Sequence, residues 1–198
     1  MSKMSNVIFE RVKKMFLVIT FLVYIFFFII QKYAVYPIET FFFESQITDK
    51  ASVLYLPHAI RIIAFFLLGF SSVVPIFIAQ CFTFIVLNNI DFMYSIILSL
   101  ISTSSIVFGF YCFKSIKKFN FFSINKIDWK KLILIGFLVS IFKSFFSSIY
   151  LSNFNFQQFD ILLFLRFIVG DTFGVLVGMI IFILILKIIK VWNKYELS

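Results

Sequence analysis

Four ionisable side chains, His58, Arg61, Lys143 and Asp171, lie within stretches of sequence that are otherwise apolar. Charged groups are costly inside a membrane, where they usually pair with one another or line a functional site. His58 and Arg61 lie three positions apart near the expected start of a helix, the end at which free N–H groups attract anions. We therefore predict that the four side chains line a pocket for a small anionic or carboxylate-bearing ligand.

An alternative role for the same groups requires no ligand. Arg61 and Asp171 could form an ion pair that only holds the helices together, with His58 bonding the end of its helix. Cations outnumber carboxylates in this set, so an added anion would neutralise the excess. The sequence leaves both roles open.

Lys143 and Arg166 differ in their expected surroundings. Lys143 shares a helix face with serines, which indicates that it faces protein rather than lipid. Those serines are Ser140, Ser144 and Ser147. Arg166 precedes Lys187 by about 31 Å of helix, so its long side chain could reach the membrane surface. Whether Arg166 is buried or interfacial stays open.

Glycines surround Asp171 at a regular spacing. Gly170, Gly174 and Gly178 recur at every fourth position, a pattern that lets a second helix approach closely. We predict that these glycines pack against another helix. Because Asp171 shares much of their face, this packing would turn its carboxylate into the bundle.

The composition is that of a chain solvated mostly by lipid. Of its 198 residues, 62% are hydrophobic and only 14% are charged, which excludes a soluble domain. The net charge of +9 comes from cations near span ends, where they act as topology signals, so we expect no nucleic-acid binding. Cys81 and Cys112 have no metal or redox spacing. We expect no metal and no cofactor.

The apolar runs predict an all-α, polytopic membrane protein, a six-helix bundle forming one domain over residues 1–198. The predicted spans cover about residues 15–31, 53–69, 73–87, 92–113, 132–150 and 160–186. Pro57 at a helix start and Gly69 at its end leave about 20 Å of helix. This is less than the hydrocarbon core of roughly 30 Å, so the second helix is predicted to be short or broken. An uncharged hairpin at residues 70–72 joins it to the third.

The lysines predict the orientation of these helices. The segment from Lys114 to Lys131 contains six lysines opposed by Asp128, and such an excess marks cytoplasmic loops. We predict that both termini are cytoplasmic as well. Residues 32–52 would then form a loop on the outer side.

Two motifs resemble those of a known family, the MASE-type membrane-associated sensor domain of bacterial signalling proteins. One is LPHAIRIIA from Leu56, continuing to Gly69, and the other is Gly170-Asp171-x-x-Gly174. His58 and Arg61 stand where the family has apolar or small residues. The family has more spans, and no kinase or cyclase module follows Ser198. The resemblance implies a sensory domain of the bacterial inner membrane that signals through a cytoplasmic partner.

Two functions fit these features. The first is an integral membrane sensory or ligand-binding module that acts through a partner protein. The second is a small-molecule permease, or the substrate-capture subunit of an importer, since a broken helix at a charged site is typical of transporters. We do not expect an enzyme, because the single histidine has no nucleophile at a recognisable spacing.

Overall fold

The computed structural model describes residues 3–42, 51–117, 129–154 and 160–196. In this part of the chain the regular structure is entirely helical, and five helical stretches are long and apolar enough to cross a membrane. The α-helices are α1 (Lys3–Ile30), α2 (Tyr36–Phe42), α3 (Pro57–Leu68), α4 (Val73–Phe82), α5 (Phe92–Lys117), α6 (Trp129–Phe154) and α7 (Ile161–Glu196). The described part of the chain is therefore all-α, and its apolar helices are those of a multi-pass membrane protein.

The first apolar stretch is longer than the sequence predicted. A π-helical turn, Gln31–Val35, joins α1 directly to α2, so the helix continues to Phe42 instead of ending near residue 31. The loop predicted over residues 32–52 was therefore wrong in its first part. Residues 43–50 of that loop lie outside the described residues.

The predicted second and third spans form one helical stretch of 31 residues, Pro57–Leu87. A 3-10 turn, Gly69–Ser72, joins α3 to α4, and a π-helical turn, Thr83–Leu87, follows α4. The count of six spanning helices is therefore not confirmed. With its 12 residues, α3 rises only about 18 Å, which is too short for a membrane crossing of its own.

This stretch reverses its direction at Gly69, as the contacts of its two halves show. The hydroxyl of Ser102 accepts hydrogen bonds from both Arg61 of α3 and Gln80 of α4. In a straight helix these two residues would lie about 28 Å apart, beyond the reach of their side chains. Gly69 has φ 59° and ψ −140°, a conformation that glycine adopts more readily than other residues. We call α3, the turn and α4 the α3–α4 hairpin.

The helix α3 lies at the centre of the bundle. It packs against α1, α6 and α7, whereas α4 packs against α1 and α5, α5 against α6, and α6 against α7. The central apolar cluster includes Ile62, Ile76, Ile106, Ile135 and Val175, each no more than 1% exposed. Because lipid is as apolar as these side chains, close van der Waals packing holds the helices together.

The two ends of the bundle differ in the residues that they carry. One end, which we call the lysine-rich end, carries Lys14, Lys114, Lys130, Lys131 and Lys187 at the ends of the apolar stretches. The other, which we call the opposite end, carries the connection from α4 to α5 and the start of α7. Asp91 and Asp160 lie there and cap α5 and α7 through their carboxylates.

A non-helical segment, residues 51–56, leads into α3 and is held on one side by α2. The Glu39 carboxylate accepts hydrogen bonds from the Ser52 hydroxyl at 2.8 Å and from the N–H groups of Val53 and Leu54 at 3.1 and 2.8 Å. Non-helical backbone among membrane helices requires partners of this kind, because lipid offers none. The segment 51–56 is thus fixed in place before α3 begins.

The other side of the segment 51–56 packs on the glycines of α7. The Tyr55 N–H donates to the Gly170 carbonyl at 2.9 Å. A side chain at Gly170 would collide with the Ser52 carbonyl, and one at Gly174 with the Tyr55 carbonyl. Only Gly178 faces a helix, at Ala59 of α3. The glycine pattern thus admits backbone that is mostly non-helical, whereas we had expected a helix.

Candidate functional site

A cavity of about 360 Å³ occupies the half of the bundle nearer the opposite end. It forms because the central helix α3 begins only at Pro57, next to Tyr55, which bonds Gly170. The helix α7 begins at Ile161, about 14 Å of helix before Gly170. The outer helices therefore continue past the point at which the central helix starts. The volume of the cavity falls within the range of about 300–1,000 Å³ that is typical of small-molecule pockets.

The closed end of the cavity is polar and the wall above it is largely apolar. Residues at the closed end include Arg61, Gln80, Ser102, Lys143 and Asp171. The apolar wall includes Phe28, Phe84, Leu98, Leu163 and Phe167. A serine edge on α6 consists of Ser147, Ser148 and Ser152. Asn88 and Asp160, both exposed, line the cavity near the opposite end.

Asp171 is the centre of the charged cluster at the closed end. Its side chain is 2% exposed, and the Lys143 ammonium donates to Oδ2 at 2.8 Å and to Oδ1 at 3.1 Å. Arg61 and His58 approach the same carboxylate at 3.8 and 3.9 Å. The prediction that Asp171 faces the bundle within reach of Arg61 or Lys143 is confirmed. The close ion pair is Lys143–Asp171, and Arg61 lies farther away.

Neutral groups hold the Arg61 guanidinium in place. One terminal nitrogen donates to the Ser102 hydroxyl and the other to His58 Nδ1. Its Nε is buried with no hydrogen-bond partner. The centroid of the Tyr55 ring lies 5.6 Å from the guanidinium carbon and 4.9 Å from the Lys143 ammonium, so one aromatic ring stabilises both cations.

His58 lies behind Arg61 and is not part of the cavity wall formed by the described residues. Its Nδ1 accepts from Arg61 at 2.6 Å, and its Nε2 lies 3.3 Å from the Gly136 carbonyl, to which it donates. One nitrogen accepts and the other donates, which is the pattern of a neutral imidazole. The expectation that His58 lines the pocket was therefore wrong, because its ring points toward α6. Its role is to orient Arg61.

The closed end carries more positive than negative charge. With His58 neutral, Arg61 and Lys143 face the single carboxylate of Asp171 among the described residues there. Three buried polar atoms on cavity-lining residues have no hydrogen-bond partner: Arg61 Nε, Gln80 Oε1 and Ser148 Oγ. A buried polar group without a partner typically costs about 1–3 kcal/mol. A polar occupant would recover part of this cost if these side chains turned toward it.

Other ionisable and polar groups lie apart from this cluster. Arg166 is neither fully buried nor fully exposed, and it is not part of the cavity wall. Ser140 bonds Thr172 of α7 at 3.3 Å and so links two helices. Cys81 and Cys112 are both free thiols. The described residues contain no group of three or more side chains placed to hold a metal ion.

Sequence reasoning missed two residues that matter to the site. Gln80 is only 1% exposed and reaches Ser102 from α4. A lone glutamine in an apolar span was a usable signal for it. Glu39 was assigned to an outer loop, yet it is only 7% exposed and holds the segment 51–56. Only the tertiary structure shows that role.

Comparisons of the chain with protein-family models, with curated proteins and with solved structures found no match.

Proposed function

We propose that this protein is an integral membrane ligand-binding module and that its cavity takes up a small anion. The observation that supports this most directly is the charged cluster at the closed end, where Arg61 and Lys143 share one carboxylate. An excess positive charge surrounded by membrane helices is costly without a counter-ion. A bound anion would neutralise it.

The unpaired groups favour the same conclusion. Arg61 Nε and Ser148 Oγ both carry a proton and both lack an acceptor. An oxyanion offers several acceptor lone pairs, so it could satisfy donors of this kind while it balances the charge. Gln80 Oε1 also lacks a partner and would accept a hydrogen bond from a hydroxyl or a water that accompanies the ligand.

The proposed orientation places the lysine-rich end in the cytoplasm of a bacterial cell, with the cavity open toward the outer side. Cytoplasmic loops carry an excess of Lys, and the exposed residues Lys114, Lys130 and Lys187 all lie at this end. Both termini would then be cytoplasmic, where a signalling partner could bind. The resemblance to MASE-type sensor domains agrees with this arrangement.

The helix α3 provides a physical route from the cavity to that partner. Arg61 lies in its first turns. The ring of Phe65, near the other end of α3, contacts the rings of Phe70 and Phe110 at centroid distances of 5.7 and 4.6 Å. A ligand that displaces Arg61 would therefore act on the aromatic contacts at the far end of the same short helix. We propose that a sensory signal passes along α3.

A permease or a substrate-capture subunit of an importer is the second candidate. The observation that favours it is the break at Gly69 in the α3–α4 hairpin beside a charged site, since transporter sites are commonly built from discontinuous helices. Uptake by sealed vesicles containing the protein would distinguish the two roles. Anion uptake above that of empty vesicles would support transport, and binding without uptake would support sensing.

The test of the proposed function is stabilisation of the purified protein by anions. Thermal unfolding in a neutral detergent would be followed in chloride, acetate, benzoate and phosphate salts of the same cation. An anion at about 100 times its Kd adds about 2.7 kcal/mol of stability. We expect the response to be lost in Lys143→Gln and kept in Lys187→Gln, because Lys187 is exposed and lies at the lysine-rich end. An equal response of both variants would overturn the proposal.

A further inference from the structure

We infer that the ligand is a monocarboxylate with an elongated apolar body, bound with its carboxylate at the closed end of the cavity and its chain directed toward the opposite end. This inference rests on the proposed function and narrows the class of anion. Three features of the cavity support it: its length, the position of its charges and the character of its wall.

The cavity is elongated along the helices. Along α7 its lining runs from Asp171 to Asp160, the residue that caps the helix, a distance of about 16 Å. On α5 it runs from Ser102 to Tyr94, about 12 Å. A compact inorganic anion would occupy only the closed end, so the remaining depth calls for a ligand of matching length.

The charge count at the closed end favours a single negative charge. Arg61 and Lys143 together carry one more charge than Asp171 neutralises, and the bonds of His58 identify it as neutral. One carboxylate would balance the cluster. A second carboxylate at the far end of an elongated ligand would lie near the carboxylate of Asp160, which lines the cavity near the opposite end, and like charges repel each other.

The wall above the cluster suits a hydrocarbon body. Phe84 of the turn after α4, Leu98 of α5 and Phe167 of α7 line the cavity between its closed end and the opposite end. Burial of a CH2 group contributes about 0.8 kcal/mol, equivalent to about fourfold in affinity. The serine edge on α6 leaves one side of the cavity polar, which would accommodate water or a hydroxyl of the ligand.

The first measurement is a chain-length series of unbranched monocarboxylates, from acetate to decanoate, with binding followed by titration calorimetry in detergent. We expect the affinity to rise by up to about fourfold per added CH2 until the chain fills the cavity, and then to level off. The amide and the amine of the same chain length control for partitioning into the micelle. A dicarboxylate of equal length should bind more weakly than the monocarboxylate.

The second measurement shortens the cavity. Leu163 lines it near the opposite end, so Leu163→Trp should move the best chain length to a shorter acid. Leu165→Trp is the matched control, because Leu165 lies on the same helix and is 48% exposed. The chain length that binds best to Leu165→Trp should equal the one that binds best to the parent protein. An unchanged optimum in Leu163→Trp would overturn the placement of the chain.

The two proposals can fail separately. If chloride or acetate binds and longer chains add no affinity, or if the amide binds as tightly as the acid, the inference on the ligand is wrong and the anion site remains. If no anion binds to the parent protein, both proposals are wrong. Presenting the best acid either in solution or in preloaded lipid vesicles would show whether it enters from water or from the bilayer.

Discussion

Replacing Asp171 by asparagine would remove the carboxylate that balances Lys143 at the closed end of the cavity. The Asp171 side chain is 2% exposed and lies 2.8 Å from the Lys143 ammonium, whose own side chain is 13% exposed. Removal of one partner from a buried ion pair typically costs about 3–5 kcal/mol, because the other charge is left uncompensated. The remaining exposure of Lys143 should bring the loss toward the lower limit.

Thermal unfolding of the purified protein in detergent measures this loss. A chain of this size shifts its Tm by about 2–4 °C per kcal/mol. We therefore expect Asp171→Asn to unfold about 6–12 °C below the parent protein when no anion is added. A monocarboxylate should then stabilise the variant more than the parent, because the bound anion replaces the missing negative charge.

The double variant Lys143→Met with Asp171→Asn provides the control. It removes both charges of the pair, so the net charge of the cluster returns to that of the parent protein. We expect the double variant to be more stable than Asp171→Asn alone, which is the non-additivity shown by groups that interact directly. The assigned ion pair is wrong if the stability losses of Lys143→Met and Asp171→Asn simply add in the double variant. It is also wrong if Asp171→Asn unfolds within about 2 °C of the parent protein.

Three further predictions concern the frame around the cavity. Gly174→Leu should prevent the segment 51–56 from packing on α7, because the Tyr55 carbonyl occupies that space; we expect little folded protein by size-exclusion chromatography, and normal yield would contradict the close contact. Glu39→Gln keeps one acceptor but loses charge-assisted bonds, each worth about 1.5–3 kcal/mol, so its Tm should fall, whereas an unchanged Tm would show that Glu39 does not support the segment. A cysteine introduced at Ser123, which lies outside the described residues, should resist an impermeant thiol reagent in intact cells, and labelling there would reverse the proposed orientation.

The class of the protein was predictable from composition alone. A chain that is 62% hydrophobic must satisfy its backbone polar groups internally in lipid, and helices do so within one segment. The same contrast between charge and apolar surroundings singled out Arg61, Lys143 and Asp171, which the structure brings together. Such residues stand out in a sequence because their cost in lipid depends on their own chemistry.

The path of the chain was not predictable in the same way. Hydropathy indicates that a segment avoids water, but it does not indicate where the chain reverses or how far it extends. The sequence predicted a short second helix, whereas its central position and the cavity beyond its start depend on the packing of α1, α6 and α7 around it. The continuation of the first helix to Phe42 was not predicted either, because hydropathy does not indicate how far a helix extends.

The partner of each charged group was decided only by the tertiary structure. The sequence allowed an Arg61–Asp171 pair, yet the close contact is with Lys143, since the depth of a side chain depends on how its helix is placed in the bundle. His58 turned away from the cavity because Arg61 and the Gly136 carbonyl bond its two nitrogens. Residue types and their spacing identify groups that need partners, and only the packing of distant segments determines which partners they find.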